Sequence, residues 1–215
     1  RRPFELKRSN PVGTLLQLKK FPLVIGIIIV LFLYNIGHHV LPATWSFFTI
    51  EKFDWTPKDI GLSLMFIGIC MALVQGFLIR WVIPRTGLRW AGIIGMSFTA
   101  IAFLGYGAAD APWMMYLAMI PGALGALGGP AMQGIASSQV DASQQGELQG
   151  GLSSTMSLTS IISPLMMTQI FAYFTGDQSA YYFPGAAFIL ALFLTLAALA
   201  VFIRITREKS AVANA

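Results

Sequence analysis

Long apolar stretches, separated by short polar or charged segments, recur along most of the chain. Each is about the length of a helix that crosses a ~30 Å hydrocarbon core, and together they cover approximately residues 21–48, 60–83, 90–109, 113–135, 148–174 and 182–203. A helix satisfies its backbone polar groups within one segment, as a bilayer requires. The pattern therefore predicts an all-α integral membrane protein. It has six transmembrane helices in a domain of residues 21–205, between a basic segment 1–20 and a tail 206–215.

Capping and turn residues mark the ends of these predicted spans. Thr56 and Pro57 suit the N-cap and first position of a helix, and the segment 84–89 combines proline and glycine in the pattern of a tight turn. Within the spans, Pro42 is expected to kink the first helix and free a carbonyl on the preceding turn. The glycine-rich segment 122–129 is expected to allow close helix packing.

Composition and charge support a membrane protein and orient it. The sequence is 56% hydrophobic and 11% charged, against about 25% charged residues in soluble domains. Twelve of the fourteen basic residues fall on one side of the predicted topology, namely Arg1, Arg2, Lys7, Arg8, Lys19, Lys20, Arg80, Arg85, Arg89, Arg204, Arg207 and Lys209. The other side collects Glu51, Asp54, Asp59, Asp110 and Asp177. The positive-inside rule then places both termini in the cytoplasm, in a cell inner membrane. Because the basic residues flank apolar spans, nucleic acid is not the expected partner.

The many serine and threonine hydroxyls of span 148–174 are expected to bond back to their own helix. The histidine and amide side chains within the spans are the main candidates for chemistry. No Asp, Glu, Lys or Arg lies near the middle of a span, so His38 and His39 are the titratable candidates for proton coupling. Asn35 and His39 share a helical face, as do Met71 and Gln75. These residues could face a solute pathway, or they could hold the bundle together through interhelical hydrogen bonds. No catalytic triad, metal-ligand spacing or phosphate-binding loop is found, so neither an enzyme nor a cofactor is expected.

Several motifs occur in the order expected of one transporter family. They are the segments 129–133, 139–141, 145–150 and 157–161, Pro164-Leu165, and the loop 85–89 with Pro84 where an Asp is usual. This series resembles the C-terminal half of the tetracycline-resistance-like drug:proton antiporters of the major facilitator superfamily.

The resemblance implies a half-bundle of this superfamily fold, with the six spans as helices seven to twelve. It implies proton-coupled export by alternating access, with an N-terminal six-helix half, membrane lipid, protons and a small-molecule substrate as partners. Asn35, His39, Met71 and Gln75 would form one wall of the substrate cavity. Met71 stands where family members that export tetracycline tend to have a histidine. The resemblance therefore does not identify the substrate.

The resemblance also suggests a charge latch on the cytoplasmic side, in which Glu147 pairs with Arg85 or Arg89. The alternative is that Glu147 is a solvated loop charge contributing under about 1 kcal/mol. Two other functions remain open at this point. One is a non-transporting membrane module, from a split or truncated carrier, that works by helix association. The other is a facilitative carrier of a sugar-type solute.

Overall fold

The computed structural model describes residues 21–176 and 179–213, with side chains described as far as residue 207. The basic segment 1–20, Asp177, the end of the tail and the side chain of Lys209 lie outside the described residues, so the predictions made for them are not tested. In chain order the helices are α1 (Pro22–His38), α2 (Val40–Phe53), α3 (Pro57–Leu73), α4 (Ile79–Ala108), α5 (Pro112–Leu124), α6 (Gly128–Ser137), α7 (Gln145–Thr175) and α8 (Ala186–Ala213).

These helices combine into five stretches that are long and apolar enough to cross a membrane. They are Pro22–Phe53, Pro57–Ala108, Pro112–Ser137, Gln145–Thr175 and Ala186–Arg207. No strand occurs in residues 21–176 or 179–213, so the predicted all-helical membrane class is confirmed. The prediction of six separate spans differs in one place. The predicted spans 60–83 and 90–109, apart from Ala109, fall within the single helical stretch Pro57–Ala108 of 52 residues.

That long stretch reverses direction at Gly87, which has φ 76° and ψ 161°. A residue with a side chain is strained in this region, whereas glycine is not. The indole Nε1 of Trp45 donates to the Ser63 hydroxyl at 3.1 Å, and its ring centroid lies 5.3 Å from that of Tyr106. A straight helix would hold Ser63 and Tyr106 roughly 65 Å apart at 1.5 Å per residue, so the chain doubles back. The loop predicted at 84–89 is therefore reduced to a sharp break at one residue.

The first stretch is interrupted at His39, where the sequence predicted a kink. The last backbone bond of α1 runs from the His39 N–H to the Asn35 carbonyl, and the first of α2 runs from the Ala43 N–H to the His39 carbonyl. Pro42 has no N–H to offer the preceding turn. At this break the Ser163 hydroxyl of α7 donates to the Ile36 carbonyl at 2.6 Å. A serine hydroxyl within a helix usually bonds to a carbonyl of its own helix, but Ser163 instead joins two helices.

Close packing between α4 and the α5–α6 segment depends on glycine. A 3₁₀ turn, Gly125–Leu127, separates α5 from α6. A Cβ added at Gly95 would collide with the backbone of Gly128, and one added at Gly125 would collide with the Thr99 side chain. The sequence-based expectation of close helix approach is confirmed at these positions.

The outer face of the bundle is apolar, whereas the end that carries Glu51 and Asp110 is polar. On α3, Leu64, Met65 and Ile69 are each more than half exposed, as expected where lipid or another membrane domain covers the surface. At the acidic end, Lys52 pairs with Asp110 at 3.1 Å. The Tyr182 hydroxyl donates to Glu51 at 2.9 Å.

Candidate solute-binding site

Asn35 lines a cavity of about 90 Å³ between α1, α6 and α7. Its side-chain N–H donates to the Leu31 carbonyl of the preceding turn at 2.7 Å. Gly129 and Gln133 of α6 lie on the opposite wall, on one helical face because they are four residues apart. The structure thus places one sequence-predicted residue, Asn35, beside a second amide, Gln133.

The two histidines occupy different environments. The His38 ring lies 5.7 Å from the ring centroid of Tyr34 and 6.4 Å from that of Phe103, which belongs to α4. The Tyr34 hydroxyl is hydrogen-bonded to the Thr99 hydroxyl at 3.0 Å, again on α4. His38 is therefore packed among aromatic side chains towards α4, while half-buried His39 lies at the break between α1 and α2.

Met71 and Gln75 lie in the first half of the helical stretch Pro57–Ala108. Met71 is half-buried near the end of α3, and Gln75 is exposed in a five-residue π-helical turn, Val74–Leu78. Such turns are frequent at functional sites in helices, and this one was not foreseen from the sequence. It packs against the 3₁₀ turn Gly125–Leu127, which leads directly into Gly129 and Gln133 on α6.

Gln133 is the residue that sequence reasoning missed as a site candidate. It was noted only as part of the family-like segment 129–133. The signal that could have identified it is a single amide within a span that otherwise consists of apolar and small residues. That is the signal that singled out Gln75.

A second and larger cavity, of about 760 Å³, lies between α1 and α7. Its α1 wall is apolar and includes Ile29 and Phe32, whereas its α7 wall carries hydroxyls, among them Ser153 and Ser157. The Thr155 hydroxyl on the same wall donates to the Gly151 carbonyl of its own helix at 2.9 Å, as expected for a helical hydroxyl. This cavity suits an amphipathic rather than a strongly polar solute.

The residues of the predicted charge latch lie at the end of the bundle away from Lys52. The guanidinium of Arg85 lies 4.2 Å from the ring centroid of Trp81 and donates to the Trp81 carbonyl at 2.9 Å. Arg89 Nε donates to the Thr206 hydroxyl of α8 at 3.2 Å. Glu147 is half-buried in the first turn of α7. Its pairing with Arg85 or Arg89 stays a prediction.

Comparison with known proteins places this helical bundle in a family. The model of the Major Facilitator Superfamily matches residues 16–215. The chain is 37% identical over 199 residues to the tetracycline resistance protein, class C, of Escherichia coli, covering 93% of this chain and 49% of that protein. It is 35% identical over 134 residues to the class H protein of Pasteurella multocida, covering 62% of this chain and 34% of that protein.

A more distant similarity extends to animals. The chain is 22% identical over 172 residues to the Hippocampus abundant transcript 1 protein of Homo sapiens, covering 80% of this chain and 35% of that protein. The chain spans about half the length of the class C relative and about a third of the others. Because the superfamily model covers residues 16–215, the resemblance inferred from the motifs is confirmed, and the chain belongs to the Major Facilitator Superfamily.

Proposed function

We propose that the chain is one six-helix half of a secondary active transporter. It exports a small amphipathic or drug-like compound in exchange for protons, by alternating access, and it is not an enzyme. The observation that carries the proposal is the similarity over 93% of the chain to a tetracycline resistance protein about twice as long. The largely apolar cavity between α1 and α7, with serine hydroxyls on its α7 wall, supports it.

In this proposal the chain crosses the membrane six times. The stretch Pro57–Ala108 has 52 residues, far more than the roughly 20 needed for one crossing. The reversal at Gly87 supports two crossings within it. The helices then correspond to one half of the superfamily fold. An N-terminal half, covalently joined or co-assembled, completes the substrate cavity opposite Asn35, His39, Met71 and Gln75.

Both termini lie in the cytoplasm in this arrangement, and thiol labelling tests the orientation. Single cysteines replace exposed Lys58 and exposed Pro84 in a Cys70→Ala background. In intact spheroplasts, a membrane-impermeant maleimide is expected to label Lys58→Cys. It is expected to label Pro84→Cys only after permeabilisation, because the basic loop stays inside. Labelling of Pro84→Cys but not Lys58→Cys in intact cells would refute the orientation.

Transport itself is tested by co-expressing the chain with the N-terminal half of the Escherichia coli class C relative. Inverted membrane vesicles receive a panel of fluorescent amphipathic drugs, with tetracycline included. Uptake is expected to depend on a pH gradient that is acid inside the vesicles, because protons leave as the drug enters. Vesicles containing either half alone are the controls. Movement independent of the pH gradient would favour the facilitative carrier. No movement by a folded, inserted pair would favour the non-transporting module.

Proton coupling within this chain is assigned to the histidine pair. His39, half-buried at the helix break, and His38, beside Tyr34 and Phe103, are the titratable groups that the sequence offers on this span. A break in the helix leaves backbone groups without their usual partners. A histidine placed there can bind and release a proton as the two halves rock.

The charge latch is tested by reversal and rescue in the same vesicles. Glu147→Arg is expected to lower the transport rate about tenfold, which corresponds to ~1.4 kcal/mol. Combining it with Arg89→Glu, or with Arg85→Glu, should restore most of the rate. Asp141→Arg, which reverses an exposed acid just before α7, is the matched control and should have little effect. If the transport rate falls equally in the single and double variants, the charge-latch hypothesis is wrong.

A further inference from the structure

The cavity beside Asn35 is too small for a whole drug but suits one substituent. Its volume is about 90 Å³, whereas ligand pockets for drug-sized molecules measure roughly 300–1,000 Å³. Leu152 and Met156 of α7 form its apolar side, and Tyr34 contributes an aromatic wall. Space of this size accommodates a group of a few non-hydrogen atoms, since one water occupies about 30 Å³ in the liquid.

The hydrogen bonds around the cavity leave the side-chain oxygen of Asn35 able to accept from a solute. The Asn35 amide donates to the Leu31 carbonyl at 2.7 Å, which fixes its nitrogen towards its own helix and leaves the side-chain oxygen to accept. The Tyr34 hydroxyl is engaged with Thr99 at 3.0 Å, on the α4 side. Exposed Gln133 adds a second amide oxygen from α6. The polar groups that line this space are thus two neutral amides.

Gly129 lines the cavity about one helical turn before Gln133. A Cβ added there would meet no atom within 4 Å, in contrast to Gly125, where the Thr99 side chain stands in the way. Helix packing therefore does not require glycine at position 129, and glycine in a helix costs about 1 kcal/mol relative to alanine. A bulky side chain at this position would add volume beside the cavity, because Gly129 is one of the residues that line it.

From these contacts we propose that the Asn35–Gln133 cavity is a subsite for a neutral hydrogen-bond donor, a hydroxyl or N–H substituent, on the amphipathic substrate. The Asn35 side-chain oxygen accepts the hydrogen bond, and the Gln133 amide completes the partners of the same group. If the donor group of the substrate is methylated, the Asn35 oxygen loses its water on binding and gains no hydrogen bond in return. The affinity for the substrate is therefore lower. The subsite rests on the proposed function, because it assigns part of the substrate to one wall of the transport cavity.

The test uses a matched pair of probes on the full chain in lipid nanodiscs. N-(2-hydroxyethyl)dansylamide and N-(2-methoxyethyl)dansylamide differ in a single donor, and binding is read from dansyl fluorescence after subtraction of empty nanodiscs. The native chain is expected to bind the hydroxyl probe about fivefold more tightly, the factor that one net hydrogen bond supplies. Asn35→Leu and Gln133→Leu should each abolish most of this preference, and Gly129→Val should weaken binding of both probes.

Two substitutions away from the cavity serve as matched controls. Gln169→Leu removes an exposed amide from α7, and Gly68→Val fills an open glycine position on α3. Both should retain the fivefold preference. The subsite is wrong if the native chain does not distinguish the probes, or if Asn35→Leu and Gln133→Leu both preserve the preference.

The vesicle assay separates this result from the proposed function. Drug transport by the paired halves together with an unchanged preference in Asn35→Leu and Gln133→Leu would overturn the subsite and leave the transporter intact. A preference lost in both variants, in a chain that supports no transport, would establish the subsite and overturn the transport proposal.

Discussion

Replacing Gly95 with alanine is expected to destabilise the bundle more than any other single-methyl change on α4. The added Cβ would collide with the backbone nitrogen of Gly128, lie 2.8 Å from the Gly128 Cα and lie 3.0 Å from the Leu127 carbonyl carbon. Backbone cannot rotate aside as a flexible side chain can, so α4 and α6 must move apart. We expect a loss of about 3 kcal/mol, at the upper end of ordinary overpacking. Thermal unfolding in detergent, followed by size-exclusion chromatography with fluorescence detection, measures it.

Gly68→Ala provides the matched control for that experiment. Gly68 also lies inside a helix, but a Cβ there would meet no atom within 4 Å. Alanine favours the helix at such a position by up to about 1 kcal/mol, so this variant should match or exceed the native melting temperature. If Gly95→Ala and Gly68→Ala melt together, the contact between α4 and α6 is not the close one described here.

Replacing Ser163 with alanine is expected to loosen the join between α7 and the break in the first stretch. The Ser163 hydroxyl donates to the Ile36 carbonyl at 2.6 Å, and both groups are buried. Without the hydroxyl, that carbonyl is left in an apolar environment where the helix break supplies no replacement. We expect a loss of about 1–2 kcal/mol, above the ~0.6 kcal/mol average for interhelical hydrogen bonds in membranes. The same detergent melting experiment detects it.

Two further variants identify the cause of the Ser163 effect. Ser160→Ala removes an exposed hydroxyl that donates within α7, to the Ser157 carbonyl at 2.8 Å, so it should change stability little. Pro42→Ala supplies an N–H to the His38 carbonyl and removes the ring that kinks the helix, so the straightened helix can pair the Val40 N–H with the Ile36 carbonyl. In that background Ser163→Ala should cost less, and the difference is a coupling energy. Additive losses would show that Ser163 does not act through the break.

Much of the membrane architecture follows from the sequence alone. Most of the apolar runs end within a few residues of an observed helix end, although α8 continues to Ala213, ten residues beyond the predicted end at 203. Thr56 and Pro57 occupy the predicted N-cap and first position of α3, and the Thr56 N–H donates to Asp59 at 2.9 Å. The ordered family-like motifs, segment 129–133 among them, indicated the superfamily whose model matches residues 16–215. These features are readable because span length, capping and motif order are properties of local sequence.

The arrangement of the candidate site was less predictable. Helical periodicity indicated a shared face for Asn35 and His39, but it could not show that His38 would pack beside Phe103 of α4. Nor could it place Gln133 across from Asn35, since these residues are nearly a hundred positions apart. The π-helical turn around Gln75 has no local sequence signal either.

The sequence by itself determined that this is a membrane protein, that it is helical and that it belongs to its superfamily. These properties are local, because the hydropathies of neighbouring residues sum to decide whether a segment enters lipid. The order of motifs is likewise read directly along the chain. Only the tertiary structure decided that the chain doubles back sharply at Gly87, that Ser163 bonds to Ile36, and which two amides meet across a cavity. Those outcomes depend on which helix faces come together, and that choice is set by the fit of many side chains at once.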